Sequence, residues 1–325
     1  MLTIVILNYN GWHDTIDCLM SLRQQTYRDF RVIVADNGSS DDSVLRLRQW
    51  AETSHANYKL LKDGKQTTKD NAWLYILPFA ENHGFAKGNN RAIAALSYKP
   101  SDYILCLNND TIVAADCLER LVEYANNNSD IEVLTPGIRL YDKPDYMWSA
   151  GGKLVFGGRK DICPLQPATR LKGRKIIPIT FITGCALFFR SELINEQPLF
   201  TERFFFGEED FNFSLRMRDE KRKMICLMDA IVYHKVSASQ AQVVSYNKLF
   251  IYLLNRIIDL RTYYSLPKYA LWISMYVPFI WMRFLQGLSY TKRCAFLHLL
   301  LHEAATHDGV SKEMFEKYIH YSFTE

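Results

Sequence analysis

The chain has 325 residues, of which 48% are hydrophobic and 14% aromatic, and a formal net charge of +4 at pH 7. This length and apolar content suffice for a sizeable core, in one large domain or two smaller ones, and exclude a disordered chain. The charge is mild, and the first 240 residues contain no run of Lys and Arg with interleaved aromatic side chains. A nucleic-acid partner is therefore not expected.

The cysteines and the first residues bear on the cellular compartment. The seven cysteines are scattered and form no Cys-x-x-Cys pair, which argues against a zinc or redox centre and favours a reducing cytoplasm. After Met1 the chain enters an apolar run without the basic and long apolar regions of a signal peptide. We therefore expect a cytoplasmic location.

Short apolar runs alternate with longer amphipathic ones over the first 135 residues. Runs of about five residues, such as "TIVIL", "FRVIVA", "LYILPF" and "YILCL", are separated by helical patterns of ten residues or more. This order is typical of βαβ units and predicts an α/β fold with a mostly parallel sheet. A Gly- and Pro-punctuated stretch, 136–178, predicts a β-rich or loop-rich insertion, and two short strands are predicted before His234.

Polar clusters follow the predicted strands. They are "NYNG" at 8–11, "DNGSSDD" at 36–42, "ENHGFAKGNN" at 81–90 and "NND" at 108–110. Ligands of open parallel sheets bind beyond the carboxyl ends of the strands, so these side chains are expected to line one polar rim. The turns lack G-x-G-x-x-G and G-x-x-x-x-G-K-[ST], which argues against dinucleotide cofactors and P-loop chemistry.

Eight motifs in order resemble those of glycosyltransferase family two, and within it the rhamnosyltransferase-like branch. They are "VILNYNGWHDTIDCLMSL", "VIVADNGSSDDSV", "NHGFAKGNNRAI", "LCLNNDTIV", "SAGG", "TGCALFFR", "FFFGEEDFNFSLRMR" and "YH". The resemblance implies the GT-A fold, a Rossmann-like mostly parallel sheet flanked by helices, with a C-terminal helical extension. It implies a catalytic domain at 1–240, divided into a nucleotide-binding half, 1–112, and an acceptor half, 113–240, and a helical region at 241–325.

The resemblance also implies an activity. Such a protein is an inverting, metal-dependent transferase of a hexose from a nucleotide diphosphate sugar. Rhamnose from dTDP-rhamnose is the preferred donor, with UDP the competing nucleotide, and the acceptor is a saccharide or lipid-linked sugar in bacterial surface polysaccharide synthesis, such as O-antigen. A nucleotide-sugar-binding or scaffold protein without turnover stays an alternative. A sugar nucleotidyltransferase is a third, but it should carry a Gly-rich, Arg-containing loop that "NYNGWHD" lacks.

A divalent cation, Mn²⁺ or Mg²⁺, is the expected stabiliser of the diphosphate leaving group. The resemblance to a D-x-D motif implies that Asp110 binds this metal, and that Asn108 and Asn109 contact the donor, although Asn108 replaces the first Asp. His234 is the second metal candidate, and its imidazole suits Mn²⁺ better than Mg²⁺. The competing interpretations are that Asp110 or Thr111 caps the next helix and that His234 is structural.

Three adjacent carboxylates, Glu208, Glu209 and Asp210, suit the proton transfer that inversion requires. Adjacent carboxylates raise one another's pKa, which favours a general base. By resemblance to the family's E-D motif, Asp210 is the base and Glu209 its neighbour. An acidic first helical turn that matches the helix dipole is the alternative.

Other rim residues are donor-binding candidates. Asp36 is placed to accept a hydrogen bond from the imide N–H of uracil or thymine, beside Asn8, but an Asx turn or helix cap would also explain it. Lys87 and Asn90 lie at a predicted helix start and are placed to contact ribose or phosphate. Gly184 would let the backbone approach the donor sugar, or merely permit a bulge.

The C-terminal segment is basic and aromatic. From Ala241 to Leu300 it has seven Lys and Arg, one acid and thirteen aromatic residues. Its longest uncharged run, Tyr269 to Met282, is shorter than the roughly 20 residues that a spanning helix needs. One interpretation is an interfacial helix on the cytoplasmic face of the inner membrane. The other is a helix pair packed on the catalytic domain or at a homodimer seam.

Overall fold

The computed structural model describes residues 1–66, 72–99, 102–195, 197–236 and 246–323, so the predicted domain boundary between residues 240 and 241 lies outside the described residues. The strands are β1 (Leu2–Asn8), β2 (Phe30–Asp36), β3 (Tyr58–Leu60), β4 (Leu74–Pro78), β5 (Tyr103–Asn108), β6 (Thr111–Val113), β7 (Val133–Leu140), β8 (Tyr146–Ser149), β9 (Gly152–Val155), β10 (Gly158–Asp161), β11 (Gln166–Pro167), β12 (Ile176–Ile179), β13 (Ala186–Arg190) and β14 (Met224–His234). The α-helices are α1 (Trp12–Arg23), α2 (Ser43–Thr53), α3 (Gly84–Ala94), α4 (Cys117–Asn127), α5 (Glu209–Asp219), α6 (Tyr246–Tyr263), α7 (Leu266–Arg283), α8 (Tyr290–Thr306) and α9 (Lys312–Ile319).

A large mixed sheet forms the centre of the molecule. Neighbouring strands follow the order β3-β4-β2-β1-β5-β13-β7-β8-β11, and β14 pairs with β7, β6 and β12. β1 pairs in parallel with β2 and β5, and β4 pairs in parallel with β2 and β3. β13 runs antiparallel to β5, which ends the parallel part. The predicted α/β fold is confirmed.

Both faces of the parallel part are buried. On β1, Ile4 and Ile6 pack in one apolar cluster with Leu19 of α1, whereas Val5 packs in a second cluster with Ile93 of α3. Strands buried on both faces need apolar side chains at every position rather than at alternate ones. This explains why "TIVIL" and "YILCL" are continuous apolar runs.

The residues from 136 to 234 confirm one prediction and correct another. The stretch 136–178 is β-rich, as expected, and contains most of β7, all of β8 to β11 and most of β12. The two short strands predicted before His234 are wrong, because the chain forms the single long strand β14 there. A register shift between Leu227 and Ile231 lets β14 stay paired with β7 across the polar interruption in the sequence.

The C-terminal helices pack on the preceding α/β part of the chain. Leu253 of α6 and Phe211 of α5 are buried in one apolar cluster. Gly157, in the turn between β9 and β10, lies against Trp272 of α7, and its N–H donates to the Tyr264 hydroxyl oxygen at 2.8 Å. Of the two interpretations drawn from the sequence, packing on the preceding α/β part of the chain is therefore observed for α6 and for one side of α7.

Substituting Gly157 by alanine tests the packing of α7 on this turn. Gly157 has φ of +74°, and an added Cβ would lie 1.8 Å from Trp272 Nε1. Gly173→Ala is the matched control, because Gly173 has φ of +83° and no described atom within 4 Å of an added Cβ. We expect Gly173→Ala to lose about 1 kcal/mol of unfolding free energy in urea, and Gly157→Ala to lose a further ~1–3 kcal/mol. Equal losses would contradict the contact.

Candidate functional site

A cavity of about 480 Å³ lies at the carboxyl ends of the parallel strands. The side chains that line it are mostly amides, aromatic rings and a carboxylate–imidazole pair, and include Tyr9, Asn10, Asn37, Asn82, Phe85, Asn108, Asn109, Asp110, Phe205, Phe206 and His234. Each of the four polar clusters predicted from the sequence contributes to this lining. A volume of this size is typical of small-molecule sites.

Asp110 and His234 meet in the wall of the cavity. β6 pairs antiparallel with the end of β14, so that His234 lies opposite Thr111, next to Asp110. His234 Nε2 is 3.1 Å from Asp110 Oδ1. Trp148 of β8 packs edge-on against the imidazole, with the ring centroids 4.4 Å apart. The fold therefore joins two side chains that are far apart in the sequence.

The donor chemistry of this pair suits a divalent cation. Asp110 is not a helix cap, because β6 follows it and α4 begins later, with Asp116 at its N-cap position. His234 Nδ1 is buried and has no hydrogen-bond partner among the described residues. A carboxylate and an imidazole are ligands that Mn²⁺ accepts. The described residues contain no group of three or more His, Cys, Asp and Glu arranged for a metal.

Asn108 and Asn109 lie in the cavity wall beside Asp110. Asn109 Nδ2 donates to the Gly11 carbonyl oxygen and to Thr15 Oγ1, both at 3.2 Å. These bonds tie the end of β5 to the first turn of α1. The loop after β1 is consequently held against the loop after β5, which keeps the wall of the cavity closed on this side.

Asn8 and Asp36 are buried and lie outside the cavity lining. They are register partners in β1 and β2, and Asn8 Nδ2 donates to Asp36 Oδ2 at 2.7 Å. Asp36 also accepts hydrogen bonds from the Ser39 backbone N–H at 3.0 Å and the Ser39 hydroxyl at 2.7 Å. The turn interpretation of Asp36 thus has structural support. These bonds fix the loop that carries Asn37 into the lining.

Lys87, Asn90 and Gly184 also lie outside the lining of the cavity at the strand ends. Lys87 is exposed on α3 and lines a neighbouring cavity of about 210 Å³. The buried side chain of Asn90 bonds to the backbone N–H and C=O of Phe200 at 3.1 and 2.9 Å. A Cβ at Gly184 would lie 3.3 Å from the ring of Phe85, so the glycine leaves room for this lining side chain.

The acidic residues lie at the start of α5. Glu208 is the N-cap residue, with φ of +70°, and Glu209 and Asp210 occupy the first turn. The loop just before them contributes Phe206 to the cavity, whereas the three carboxylates lie outside the lining. Asp210 Oδ1 is 3.9 Å from Arg159 Nη1 of β10, and the Asp210 side chain is 23% exposed. Asp210 is therefore accessible to a solvent-borne hydroxyl.

Burial perturbs both candidate catalytic carboxyls. Burial, reinforced by the neighbouring Asp210 carboxylate, raises the pKa of Glu209 to about 8. Burial also raises the pKa of Asp210, against the opposing effect of the positive charge of Arg159. Glu209 Oε2 is buried without a hydrogen-bond partner among the described residues. The site favours a neutral Glu209 near pH 7 and an Asp210 that is more basic than a free aspartate, as a general base requires.

Two arginines near the acids were not among the site residues predicted from the sequence. Arg159 contacts Asp210, and Arg256 of α6 forms a buried ion pair with Glu208. Arg256 had a detectable signal, because it interrupts the apolar run "IYLLNRIIDL" and a charge inside an apolar helix needs a buried partner. Arg159 lies in a short polar strand and had no such signal.

The model of glycosyl transferase family 2 matches residues 3–196, which is more than half of the chain. The chain belongs to glycosyl transferase family 2. The resemblance drawn from the sequence motifs is confirmed at this level.

Two curated relatives of this family 2 chain match over less than half of its length. Poly-beta-1,6-N-acetyl-D-glucosamine synthase of Staphylococcus aureus (strain COL) is 26% identical over 142 residues, which cover 44% of this chain and 29% of the relative. The bifunctional glycosyltransferase pgtA of Dictyostelium discoideum is 26% identical over 136 residues, which cover 42% of this chain and 16% of the relative. The chain thus aligns with less than a third of either relative.

Solved structures share the fold of this family 2 chain. Residues 1–349 of S. aureus TarS superpose with a TM-score of 0.58 at 12% identity, covering 93% of this chain and 79% of that one. The mannosyltransferase PcManGT from Pyrobaculum calidifontis, in complex with GDP-Man and Mn²⁺, superposes with a TM-score of 0.55 at 13% identity, covering 98% and 84%. The expected GT-A fold is confirmed.

Replacing Glu209 by glutamine tests the burial of this carboxyl. The pKa of Glu209 is raised from an ordinary 4.5 to about 8 in the folded protein, so its ionisation opposes folding as pH rises through this window. Glutamine cannot ionise. The stability of Glu209→Gln relative to the wild type should therefore rise between pH 4.5 and 8 and level off above, in urea unfolding at several pH values. Glu316→Gln, on the exposed surface of α9, is the control. A pH-independent difference for Glu209→Gln would contradict the burial.

Proposed function

We propose that the protein is an inverting, metal-dependent glycosyltransferase that moves a hexose from a nucleotide diphosphate sugar to a saccharide or lipid-linked acceptor. The observation that carries this proposal is the convergence of Asp110 and His234 in the cavity at the strand ends. Membership of glycosyl transferase family 2 supports the reaction class. The lining of amides and aromatic rings suits a polar, ring-containing ligand.

In this proposal, Asp110 and His234 hold the divalent cation, with Mn²⁺ preferred because of the imidazole. When bound, the cation neutralises negative charge on the leaving diphosphate. Asn108 and Asn109 contact the donor from the cavity wall. Fold similarity to a mannosyltransferase solved with GDP-Man and Mn²⁺ is compatible with such a site.

The remaining donor candidates act from around the cavity. Asp36 accepts a hydrogen bond from the base, which requires exchange of one of its bonds to Ser39. Asn8 holds Asp36 in place, and Asn90 fixes the segment around Phe200. Lys87 contributes positive charge beside the donor phosphates.

Asp210 is the proposed general base. It takes the proton of the acceptor hydroxyl as that oxygen attacks the anomeric carbon, while the bond from the anomeric carbon to the diphosphate oxygen breaks on the opposite face. A neutral Glu209 adds no second negative charge beside the base. Arg159 orients the Asp210 carboxylate by its charge.

For the donor sugar we propose rhamnose from dTDP-rhamnose, with UDP the competing nucleotide. The support is the resemblance of the eight sequence motifs to the rhamnosyltransferase-like branch. One relative is named as a synthase of a poly-N-acetylglucosamine, which is compatible with a saccharide acceptor and with a role in surface polysaccharide synthesis.

Two variants test the separation of binding from transfer. Asp210→Asn should keep Mn²⁺-dependent binding of dTDP or UDP but lose transfer by roughly 10²–10⁴-fold, because only the proton acceptor is removed. Asp110→Ala should weaken Mn²⁺-dependent nucleotide binding by about 10-fold or more, because a metal ligand is lost. The measurements are calorimetric titration with and without Mn²⁺ and nucleotide release with a donor panel and bacterial lipid extract. A wild type that binds nucleotide but transfers none of the sugars would favour the scaffold alternative.

We also propose that α7 contacts the cytoplasmic face of an anionic membrane. Leu271, Met275, Phe279 and Met282 are exposed and spaced three or four residues apart, so they share one face of α7. No acidic residue occurs from 260 to 302, whereas five Lys and Arg do. This charge complements an anionic leaflet and would repel a second copy of the same surface.

The position of α7 supports a lipid-linked acceptor. Trp272 of the same helix is buried against Gly157, in the hairpin whose second strand places Arg159 beside Asp210. No helix of the described part of the chain is both long and apolar enough to span a bilayer. Membrane contact would therefore be peripheral and close to the proposed base.

A vesicle assay tests this surface. The double variant Met275→Gln/Met282→Gln should lose most binding to vesicles of phosphatidylglycerol and phosphatidylethanolamine in sedimentation, because two exposed apolar side chains are removed. The double variant Leu45→Gln/Leu165→Gln removes two exposed leucines elsewhere and should bind as the wild type does. Equal vesicle binding by both double variants would contradict the membrane proposal. A wild type that does not bind vesicles and forms dimers in light scattering would also contradict it.

A further inference from the structure

Helix α6 directs buried polar side chains at residues 203–212. This acid segment contains the carboxylates at 208–210. Asn255, Arg256 and Asp259 are buried, although the other buried residues of this helix are all apolar. Asn255 Nδ2 donates to the Phe206 carbonyl oxygen at 2.9 Å. Burial of such groups is costly without partners, and the acid segment supplies at least one for each of the three side chains. Among the described residues, Asn255 Oδ1 and Asp259 Oδ2 have no hydrogen-bond partner.

Asp259 contacts the same segment one turn further along α6. Its Oδ1 accepts a hydrogen bond from Asn212 Nδ2 at 2.5 Å and lies 3.9 Å from Arg203 Nη1. Asn212 follows the proposed base by two residues. Contacts from α6 therefore bracket Asp210 on both sides in the sequence.

Arg256 makes the central contact. Its Nε and Nη2 both donate to the carboxylate of Glu208, with Nη2 3.2 Å from Oε2, and the two side chains are 4% and 2% exposed. Its Nη1 donates to the Gly157 carbonyl oxygen at 3.2 Å, and its guanidinium lies 3.6 Å from the ring centroid of Phe211. A two-pronged, buried ion pair fixes orientation as well as charge.

Glu208 needs such a partner for two reasons. Its φ of +70° lies in the left-handed region, which a residue other than glycine adopts at a cost of order 1–3 kcal/mol unless its surroundings enforce it. Its buried carboxylate also adjoins two more carboxyls, and removing the cation would leave this charge uncompensated. The strained φ and the buried charge both belong to Glu208, the residue that immediately precedes the first turn of α5.

We propose that Arg256 is a positioning residue of the transferase site, which acts through Glu208 to set the first turn of α5 and to hold a positive charge near Asp210. The inference rests on the proposed function, in which Asp210 is the base. It makes the C-terminal helical region a working part of the catalytic site in addition to its proposed membrane contact.

The charged groups around Asp210 determine what loss of Arg256 would do. Arg159 faces it from β10, Glu208 and Glu209 belong to its own segment, and Arg256 faces it from α6. Arg159 and Arg256 lower the pKa of Asp210, and Glu208 raises it. Without Arg256 the uncompensated Glu208 should raise the pKa of Asp210, so the base would stay protonated up to higher pH.

The test is the pH dependence of kcat/KM for nucleotide release from the preferred donor. Arg256→Gln should move the acidic limb to higher pH by about one unit, so that activity falls roughly 10-fold more at pH 6 than at pH 8.5. The double variant Glu208→Gln/Arg256→Gln should return the limb towards the wild-type position, since the uncompensated charge is gone. Arg256→Lys should leave the limb nearly in place but lower kcat, because charge is kept and the two-pronged geometry is lost.

Arg261→Gln is the matched control on the same helix. Arg261 donates to the carbonyl oxygens of Ala304 and His307 and pairs with Asp308, so it ties α6 to the end of α8 without touching the acid segment. We expect this variant to lose thermal stability without moving the limb. If circular dichroism shows that Arg256→Gln does not fold, the pH profiles of kcat/KM for the double variant and for Arg256→Lys test the proposal instead.

The outcomes separate the two proposals. An active wild type whose acidic limb does not move in Arg256→Gln, or moves equally in Arg261→Gln, would overturn the role of Arg256. A wild type that binds nucleotide but transfers no sugar would overturn the proposed function itself.

Discussion

The parallel pairing of β1 with β2 and β5 is the constraint on which the site depends. It brings the carboxyl ends of these strands to one edge of the sheet, where chain direction forces the polar segments that follow them to meet. Asn8 and Asp36, as register partners, lock two of these segments together. Asn109 locks the segment after β5 to α1. The cavity is thus a consequence of strand direction, with buried amide and carboxylate bonds holding its walls.

The later strands of the sheet complete this edge by a different kind of pairing. β14 runs parallel to β7 and antiparallel to β6, and this arrangement places His234 against Asp110. The pKa values of the neighbouring acids depend on burial and not on a position in the sheet. Burial raises the pKa of Glu209 and Asp210, and arginines from a hairpin and from α6 limit the rise for Asp210. Charge at the site is therefore balanced by elements from distant parts of the chain.

The C-terminal helices have two faces with different chemistry. The inner face of α6 carries Asn255, Arg256 and Asp259 to the acid segment, whereas the outer face of α7 exposes apolar side chains. Trp272 and Gly157 connect α7 to the hairpin that bears Arg159. One set of contacts thus connects the proposed base to a surface suited to a bilayer, and it would bring a lipid-linked acceptor close to the acids.

Much of the fold and the position of the site could be predicted, because strand–helix alternation and strand-end polar clusters are local patterns in the chain. The sequence also marked Asp110, His234 and the carboxylates at 208–210 as chemically notable. It did not show that Asn8 and Asp36 bond to each other, nor that Asn90 fixes Phe200, because a polar side chain at a strand or helix end has the same local pattern whether it faces a ligand or another loop.

By itself, the sequence determined the family, the parallel half of the sheet and the edge that carries the polar residues, since these follow from periodicity, motif order and chain direction. Only the tertiary structure decided which charges meet. Arg256 lies 48 residues from Glu208, and their pairing depends on how α6 packs against α5, which no local pattern encodes. Electrostatic partners are set by distance in space, and hydrophobic packing, rather than sequence separation, determines that distance.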